Sequence, residues 1–391
     1  MKVTEVNVYV VQTDAYKPPI VELITDEGIT GIGEGAVGFG TGANAAAVMM
    51  RDLAQRFILG KDPRNINDIC SEFYFHTFWA KGGGTVFYAG VSALEQAMWD
   101  IKAQALGVPV YELFGGRQRD RIHFYANDWA DKGFLRPEDL AERAVQVKED
   151  DGYDAMKMYP LNKMDPVTLK TYHLKNREVT IEDERMAYKV VGMVRDAIGP
   201  ETQLMLDVTA EGPAGIMKRI GKNMEQFDLN WYEEILDPFD PEGYKSLHDS
   251  INIPIAGGER LCTRLGFRLL IESRGVDIVQ PDPGICGGFR EVWAIGMMAE
   301  AYSMQIAPHN CGGPVLTAAA VQMAACLSNF YIQEVYPYSS EMHYSIVEDP
   351  LEMKIKNSYL DVPSAPGIGV KLNHKVVDPH RVAHLDLSDC M

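Results

Sequence analysis

The chain of 391 residues has few cysteines, fewer basic than acidic residues and no long apolar run. Its 6 cysteines form no C-x-x-C pair, so neither a zinc site nor a disulfide framework is predicted, and a reducing cytoplasm fits. The 37 basic residues face 55 acidic ones, and the net charge of −18 argues against nucleic acid or an anionic membrane surface as a partner. No apolar stretch reaches the roughly 18 residues that span a bilayer, and the N-terminus lacks a signal-peptide pattern. We therefore expect a cytoplasmic protein with a small-molecule ligand.

Length and composition predict a globular protein of two domains. The hydrophobic fraction of 46% and the charged fraction of 24% are ordinary for globular chains, and roughly 150 residues per domain makes two domains the first estimate. In the first third, a hairpin at ITDEGITG precedes two helical segments, ANAAAVMMRDLAQRFILG and VSALEQAMWDIKAQALG. The glycine-rich AKGGGTV predicts a flexible loop. The late segment LEMKIKNSYLDVPSAPGIGVKLN predicts strands that fold back onto the N-terminal domain.

From about residue 120, short apolar runs alternate with helical segments. The candidate strands are HFYAN at 123, AMKMYP at 155, QLMLDV at 203, NWYEE at 230, PIAGGE at 254, DIVQPD at 277, QIAPHN at 305 and FYIQEV at 330. Eight strands that alternate with helices favour a parallel α/β barrel over an open sheet. The carboxyl ends of such strands converge at one mouth, and from Asp207 to Glu334 a polar residue recurs there every 23 to 27 residues.

The segment WYEEILDPFD, residues 231–240, places two adjacent carboxylates after an aromatic pair. Alone, it is typical of a strand that leaves the core and ends in solvated acids. However, Asp207, Glu233 and Glu259 end three consecutive predicted strands, and their repulsion at one mouth would be relieved by a cation. Oxygen-only ligation favours Mg²⁺, with Mn²⁺ as a substitute, over zinc. Because side chains alternate along a strand, we assign Glu233 to the metal and Glu234 to a supporting or salt-bridging role. The alternative is three unrelated acids.

Further side chains at strand ends are candidates for proton transfer. Asp282 in VQPDPG could hydrogen-bond one ring nitrogen of His309 in IAPHNC, leaving the other nitrogen at the mouth as a general base with raised pKa. Lys157 and Tyr159, two apart in MKMYP, share one face of their strand. Glu334 on the last strand could hydrogen-bond across the mouth. The alternative for each is a structural role in packing or charge compensation.

The order Asp207, Glu233, Glu259, Asp282, His309, preceded by ALEQAMWDIKAQALGVPVYELFGG and followed by PGIGV, closely resembles the enolase superfamily in its mandelate racemase subgroup. The resemblance covers nearly the whole chain. It implies a modified (β/α)7β barrel of the TIM type, residues 118–337, under an α+β capping domain, residues 1–117, with residues 338–391 returning to the cap. It also implies one Mg²⁺ and removal of the proton α to a substrate carboxylate by a Lys or His base.

The chain departs from the subgroup at two points. The subgroup often has Lys-x-Lys where this chain has Lys157-Met158-Tyr159. Racemisation needs a base on each face of the α-carbon, so the missing second lysine disfavours it. The Glu-Glu-Pro of the subgroup is EEILDP here, which leaves the backbone path after Glu234 open.

These residues favour dehydration of an aldonic or aldaric sugar acid to a 2-keto-3-deoxy acid. Mg²⁺ and Lys157 would stabilise the ene-diolate, His309 would remove the α-proton, and the proton for the leaving β-hydroxyl would come from His309 or Tyr159. Cycloisomerisation of a lactone or anhydro-sugar acid is the second hypothesis, and racemisation or epimerisation of a hydroxy acid is the third. Two hypotheses from different protein classes are a barrel glycosidase and a non-catalytic metal-binding scaffold. We expect a homo-oligomer whose loops near residues 15–18 and 76–84 select the sugar acid.

Overall fold

The computed structural model describes residues 1–13, 16–130, 136–164, 171–172, 178–209 and 212–390. The strands in these ranges are β1 (Val3–Val10), β2 (Pro19–Thr25), β3 (Thr30–Glu34), β4 (Arg121–Ala126), β5 (Ala155–Met158), β6 (Lys163–Met164), β7 (Thr171–Tyr172), β8 (Gln203–Asp207), β9 (Trp231–Glu233), β10 (Ile255–Gly257), β11 (Ile278–Val279), β12 (Gln305–Ile306), β13 (Gln333–Val335), β14 (Tyr359–Asp361) and β15 (Arg381–Asp386). The helices are α1 (Ala43–Phe57), α2 (Ile66–His76), α3 (Thr85–Leu106), α4 (Pro137–Glu149), α5 (Ile181–Ile198), α6 (Ala214–Met224), α7 (Pro241–His248), α8 (Thr263–Ser273), α9 (Phe289–Ala301), α10 (Pro314–Cys326), α11 (Glu341–Tyr344) and α12 (His374–Val377).

The three N-terminal strands and the C-terminal strand β15 form an antiparallel sheet in the order β15-β1-β2-β3, which contains the predicted hairpin. The hairpin pairs Ile24 with Thr30, and Gly28 in its turn has φ +76°, a left-handed conformation that glycine adopts without strain. The two predicted helical segments lie in α1 and α3, which pack against this sheet. Glycine is required where α3 meets β3, because a Cβ at Gly31 would lie 2.2 Å from the backbone oxygen of Ala97. Small residues on β3 therefore let α3 pack closely.

The second part of the chain forms a curled parallel sheet in the order β12-β11-β10-β9-β8-β5-β4-β13. Each of these strands corresponds to one of the predicted barrel strands. Backbone hydrogen bonds close the sheet between β12 and the residues before β13: the Ile306 N–H donates to the Asn329 carbonyl at 3.0 Å, and the Tyr331 N–H donates to the Ile306 carbonyl at 2.9 Å. The structure confirms the predicted class, a parallel α/β barrel with an α+β cap.

One apolar or aromatic side chain from each barrel strand belongs to a single buried cluster. Its members are Tyr125, Ala155, Met205, Trp231, Ala256, Ile278, Ala307 and Ile332. Because side chains alternate along a strand, the residue two positions further on faces the same interior, nearer the mouth. That residue is polar on most strands: Asn127, Lys157, Asp207, Glu233 and Glu334 are examples. An apolar floor therefore supports a layer of polar side chains at the carboxyl ends of the strands.

The C-terminal segment contacts both parts of the molecule. In the stretch 351–373, which the structure describes completely, β14 is the one strand, and it pairs antiparallel with β4 of the barrel, with Leu360 opposite Ile122. The expected return to the N-terminal domain is confirmed for the residues after β14 but not for β14 itself, which completes hydrogen bonds of β4. The cap is reached further on, where the Ile368 N–H donates to Asp100 Oδ1 of α3 at 2.9 Å and β15 pairs with β1. The domain boundaries at 117 and 337 stay predictions.

Short helical segments occupy most of the stretch 80–86. The prediction of a flexible loop there is wrong, because Phe78–Gly82 form a short 3-10 helix and α3 begins at Thr85. In the described part of the chain, every helix is too short or too polar to cross a bilayer.

Two buried carboxylates of the cap bind the N-termini of barrel helices. Glu34 accepts from backbone N–H groups at the start of α10, among them that of Leu316 at 3.0 Å. Glu95 on α3 accepts from the Phe289 N–H at the start of α9 at 2.7 Å. The positive ends of the two helix dipoles favour these carboxylates, whereas burial raises the pKa of Glu34 to about 8 and that of Glu95 to about 7. Because α10 follows the loop that carries His309, the cap is fixed beside the mouth.

Candidate active site

Three carboxylates converge at the mouth of the barrel. Asp207 ends β8, Glu233 ends β9 and Glu259 lies two residues after β10, and one oxygen of each lies within 4.8 Å of the others. Asp207 and Glu233 are buried, and the Glu259 side chain is 19% exposed. Burial, together with repulsion from Glu233, raises the pKa of Asp207 well above its usual value. The three oxygens therefore form a negatively charged cluster that a cation could hold together.

Lys157 is the permanent cation beside this cluster. Its Nζ lies 2.7 Å from Glu233 Oε1, 2.9 Å from Glu334 Oε1 and 3.7 Å from Asp207 Oδ2, and its side chain is 1% exposed. Burial lowers the pKa of Lys157, but the charges of Glu233 and Glu334 outweigh it and raise this pKa well above its usual value. Lys157 therefore stays protonated and partly compensates the carboxylates.

The adjacent Glu234 points away from the cluster and pairs with Arg260. Its Oε1 accepts from the Gly258 N–H at 2.8 Å, and its Oε2 accepts from Arg260 Nε at 2.9 Å and Nη2 at 2.5 Å. The predicted salt-bridging role is confirmed. Glu234 has φ +47°, a left-handed conformation that turns the chain. This turn comes one residue before the position at which the subgroup has proline. The alternative of solvated acids at a strand end is wrong, because Glu233 and Glu234 are both fully buried.

Asp282 and His309 form a hydrogen-bonded pair on the next two strand ends. Asp282 Oδ2 lies 2.7 Å from His309 Nδ1, and Asp282 Oδ1 accepts from the Gly284 N–H at 2.7 Å. The other ring nitrogen, Nε2, lies 3.4 Å from Glu259 Oε2 and 3.8 Å from Glu334 Oε2. Burial lowers the pKa of His309, but Glu259, Glu334 and Asp282 outweigh it and raise this pKa well above its usual value. His309 Nε2 therefore meets the mouth beside one of the three clustered carboxylates.

Glu334 and Tyr159 are joined by Asn127, which the sequence reasoning missed. Asn127 Nδ2 lies 2.7 Å from Glu334 Oε1, 2.8 Å from the Tyr159 hydroxyl and 3.0 Å from the hydroxyl of Tyr336, a second missed residue. Glu334 Oε2 also accepts from the Asn310 N–H at 2.8 Å. The available signals were the position of Asn127 at a strand end and that of Tyr336 two residues after Glu334, on the same strand face.

The two loops predicted to read the substrate lie in different surroundings. Ala15 is outside the described residues, but Tyr16 is 7% exposed and packs edge-on against Tyr336 with ring centroids 5.8 Å apart. The first loop therefore reaches the mouth. Ala80 of the second loop lines another cavity, of about 240 Å³, together with Phe75 and Leu265, and none of the predicted site residues is among its lining residues.

The mouth of the barrel therefore places a carboxylate cluster, a buried lysine and a hydrogen-bonded histidine–aspartate pair next to one another. The model of the mandelate racemase/muconate lactonizing enzyme N-terminal domain matches residues 4–115, and that of the enolase C-terminal domain-like family matches residues 139–376. The chain belongs to the enolase superfamily, in its mandelate racemase and muconate lactonizing enzyme branch.

Individual relatives match over nearly the whole chain. The D-gluconate dehydratase of Thermoproteus tenax is 32% identical over 93% of this chain and 69% of its own length. The D-galactonate dehydratase of Variovorax paradoxus (strain S110) is 33% identical over 98% of this chain and 94% of its own. A solved structure from Mesorhizobium loti superposes with a TM-score of 0.93 at 41% identity and covers 98% of this chain and 100% of its own.

Proposed function

We propose that the protein is a Mg²⁺-dependent hydro-lyase that dehydrates an aldonic or aldaric acid to a 2-keto-3-deoxy acid. The observation that carries the proposal is the position of His309 Nε2, which lies at the mouth 3.4 Å from Glu259 of the carboxylate cluster. A base placed there can reach the carbon next to a carboxylate bound at the cluster. The names of the two dehydratase relatives, which act on D-gluconate and D-galactonate, support a sugar acid as the substrate.

The donor set of the cluster fits Mg²⁺. Asp207, Glu233 and Glu259 offer only carboxylate oxygens, which hard cations prefer, and neither cysteine nor histidine belongs to the set. Their mutual repulsion in a buried position is a further reason for a divalent cation. When bound, the ion supplies Lewis-acid stabilisation of the negative charge that develops on the substrate carboxylate.

The protein side chains supply the proton transfers. Asp282 accepts from His309 Nδ1–H and so directs Nε2 to the mouth, where the neutral form of the imidazole takes the α-proton. The ammonium of Lys157 provides positive charge on the other side of the cluster. The phenol of Tyr159 stays protonated, because burial raises its pKa well above the usual value, and it donates the proton that lets the β-hydroxyl leave as water. The same neutrality disfavours Tyr159 as a second base, and with it racemisation or epimerisation.

A panel of aldonic and aldaric acids tests the function, with D-gluconate and D-galactonate included. We expect at least one acid to yield a 2-keto acid in a Mg²⁺-dependent reaction, detected with a carbonyl reagent and by NMR. His309→Asn is the matched variant, since it keeps a hydrogen-bonding side chain but cannot accept the proton. A cyclic product with no loss of water would favour cycloisomerisation instead. Absence of both turnover and α-proton exchange in D₂O across the panel would refute the proposal.

The assembly and the location of the protein stay predictions. We propose a homo-oligomer in the cytoplasm, and light scattering of the purified protein would test the first part.

A further inference from the structure

We infer that Asn127 is a positioning residue that orients the phenol of Tyr159 so that its proton faces the substrate. The inference rests on the dehydration proposed above and adds a residue to it. Asn127 directly follows β4 and is fully buried. In the barrel β4 lies between β5, which leads to Tyr159, and β13, which leads to Tyr336. Asn127 is therefore placed between the two phenols.

The amide of Asn127 is held in one orientation by the backbone. Its Oδ1 accepts from the Asp128 N–H at 2.7 Å, and its own backbone N–H donates to the Val335 carbonyl at 2.9 Å. Because Oδ1 is engaged with a backbone donor, Nδ2 is the amide atom that meets the side chains at the mouth. An amide nitrogen donates and cannot accept. Nδ2 carries two hydrogens and has three neighbouring oxygens, and its two shorter contacts, to Glu334 Oε1 at 2.7 Å and to the Tyr159 hydroxyl at 2.8 Å, identify these two oxygens as its acceptors.

This direction decides where the phenolic proton of Tyr159 can go. A phenol oxygen that accepts from Asn127 keeps its own O–H for another partner. Among the hydrogen bonds between described residues, the Tyr159 hydroxyl makes only the one from Asn127, at 2.8 Å. The Tyr336 hydroxyl differs, because it lies farther from Nδ2, at 3.0 Å. The geometry therefore leaves the proton of Tyr159 for a group of the substrate.

The step that follows is balanced as a loss of water. His309 takes the α-proton, the C–H electron pair becomes the Cα–Cβ double bond, and the Cβ–O bond breaks with its pair remaining on oxygen. Tyr159 gives its proton to this oxygen, which leaves as water. His309 then releases one proton to solvent and Tyr159 takes one up. During the step, the Asn127 donor also stabilises the negative charge that develops on the phenol oxygen.

Asn127→Asp tests the inference, because it keeps the shape of the side chain and replaces the donor by an acceptor. The introduced carboxylate would accept from the Tyr159 hydroxyl and turn its proton away from the mouth. Loss of a general acid lowers a rate by about 10²- to 10⁴-fold, so we expect dehydration to fall by at least about 100-fold. Exchange of the α-proton in D₂O, which needs His309 as the base but not the proton of Tyr159, should change by less than about 3-fold.

Three controls separate this role from a structural one. Asn127→Ser removes the donor without adding charge, and it should also slow dehydration more than exchange. In the Tyr159→Phe background, Asn127→Asp should add little further loss, because the two residues act through one group. Asn230→Asp is the matched control at the opposite end of the barrel. Like Asn127, Asn230 accepts from a backbone N–H and donates to a tyrosine hydroxyl: it accepts from the Leu204 N–H at 3.0 Å and donates to the Tyr331 hydroxyl at 3.2 Å. It should keep wild-type turnover.

The outcomes distinguish this inference from the proposed function. Equal loss of exchange and dehydration in folded Asn127→Ser would overturn the inference, since Asn127 would then support Lys157 and Glu334 rather than Tyr159. Independent, additive losses in the double variant would overturn it as well. If Asn127→Asp does not fold, Asn127→Ser and its double variant decide. A wild-type enzyme that dehydrates no acid of the panel would refute the proposed function itself, and this inference with it.

Discussion

Glutamine substitutions at the adjacent Glu233 and Glu234 have different expected effects, although the two side chains start from neighbouring backbone positions. Glu233 supplies an oxygen to the carboxylate cluster, whereas Glu234 pairs with Arg260. A ligand that binds only the folded state stabilises it by about 2.7 kcal/mol when present at about 100 times its Kd. Wild-type protein should show this gain with Mg²⁺. Glu233→Gln should lose most of the gain, and Glu234→Gln should keep it.

The loss in free energy of unfolding that Glu234→Gln causes without added metal follows from the surroundings of Glu234. Breaking a fully buried ion pair costs about 3–5 kcal/mol, and an exposed pair contributes about 0–1 kcal/mol. The Glu234 side chain is 0% exposed and that of Arg260 is 41% exposed, so solvent screens the pair in part. We expect a loss of about 2 kcal/mol between these limits. Burial raises the pKa of Glu234 to about 7, so the comparison belongs at pH 8.5, where the carboxylate is ionised.

Urea unfolding of the three proteins, each with and without Mg²⁺, measures both quantities. Isothermal titration with MgCl₂ gives the affinity directly and serves as the independent check. The assignment of Glu233 is refuted if both variants lose the Mg²⁺-dependent gain equally, or if Glu234→Gln alone loses it.

Two further predictions concern histidines. His309→Asn should lower turnover and α-proton exchange together by about 10²-fold or more while Mg²⁺ still binds, and Asp282→Asn should lower the two rates less. Calorimetry measures the binding of Mg²⁺, and exchange in D₂O measures removal of the α-proton. Retained exchange in His309→Asn would contradict its role as the base. His343 is 2% exposed beside the Tyr16 ring, and burial lowers its pKa to about 4. The folded pKa lies below the usual 6.5, so the stability that neutral His343 provides is fully present above pH 6.5 and is lost as pH falls towards 4, by about 3 kcal/mol. Unfolding of His343→Phe between pH 7.5 and 4.5 should lack this part of the loss, and an unchanged pH slope would contradict the assignment.

The barrel and most of the site could be predicted because both follow from periodicity. Each barrel strand is short, and a polar residue closes it at an almost constant spacing, so the topology alone brings Asp207, Glu233 and Glu259 to one mouth. The alternation rule also separated Glu233 from Glu234 correctly. These arguments use only the position of a residue along a strand, which the sequence contains.

The contacts of Asn127 and Arg260 could not be predicted in this way. Asn127 gains its partners from β5 and β13, which are far away in sequence, and a lone asparagine after a strand is ordinary on its own. Arg260 reaches Glu234 because the backbone at Glu234 adopts φ +47°, a conformation that glutamate seldom takes. The pairing of β14 was missed for a related reason, since it depends on the first residues of β4, 121–123, which lie before the part of β4 that pairs with β5 and β13.

The aromatic pair of WYEE is explained by the same geometry. Trp231 belongs to the buried cluster inside the barrel, and its Nε1–H donates to Glu233 Oε2 at 2.7 Å. The other oxygen of Glu233 meets Lys157 at 2.7 Å. A buried carboxylate is tolerated when donors compensate it, so the tryptophan two residues earlier holds the carboxylate in place at the mouth. Tyr232 faces the opposite side, with its hydroxyl 3.5 Å from the Met217 carbonyl of α6.

The shortage of basic residues in the composition reappears at the mouth. Among the described residues, the permanent cations that contact carboxylates at the mouth are Lys157 and Arg260. The carboxylates outnumber them and are Asp207, Glu233, Glu234, Glu259, Asp282 and Glu334. An anionic substrate would be repelled by this excess. Three of these carboxylates, Asp207, Glu233 and Glu259, can hold a divalent cation, which reverses the local field. A protein with a net charge of −18 can therefore bind a sugar acid through an ion where another fold would use arginines, and substrate affinity should depend on the metal as strongly as turnover does.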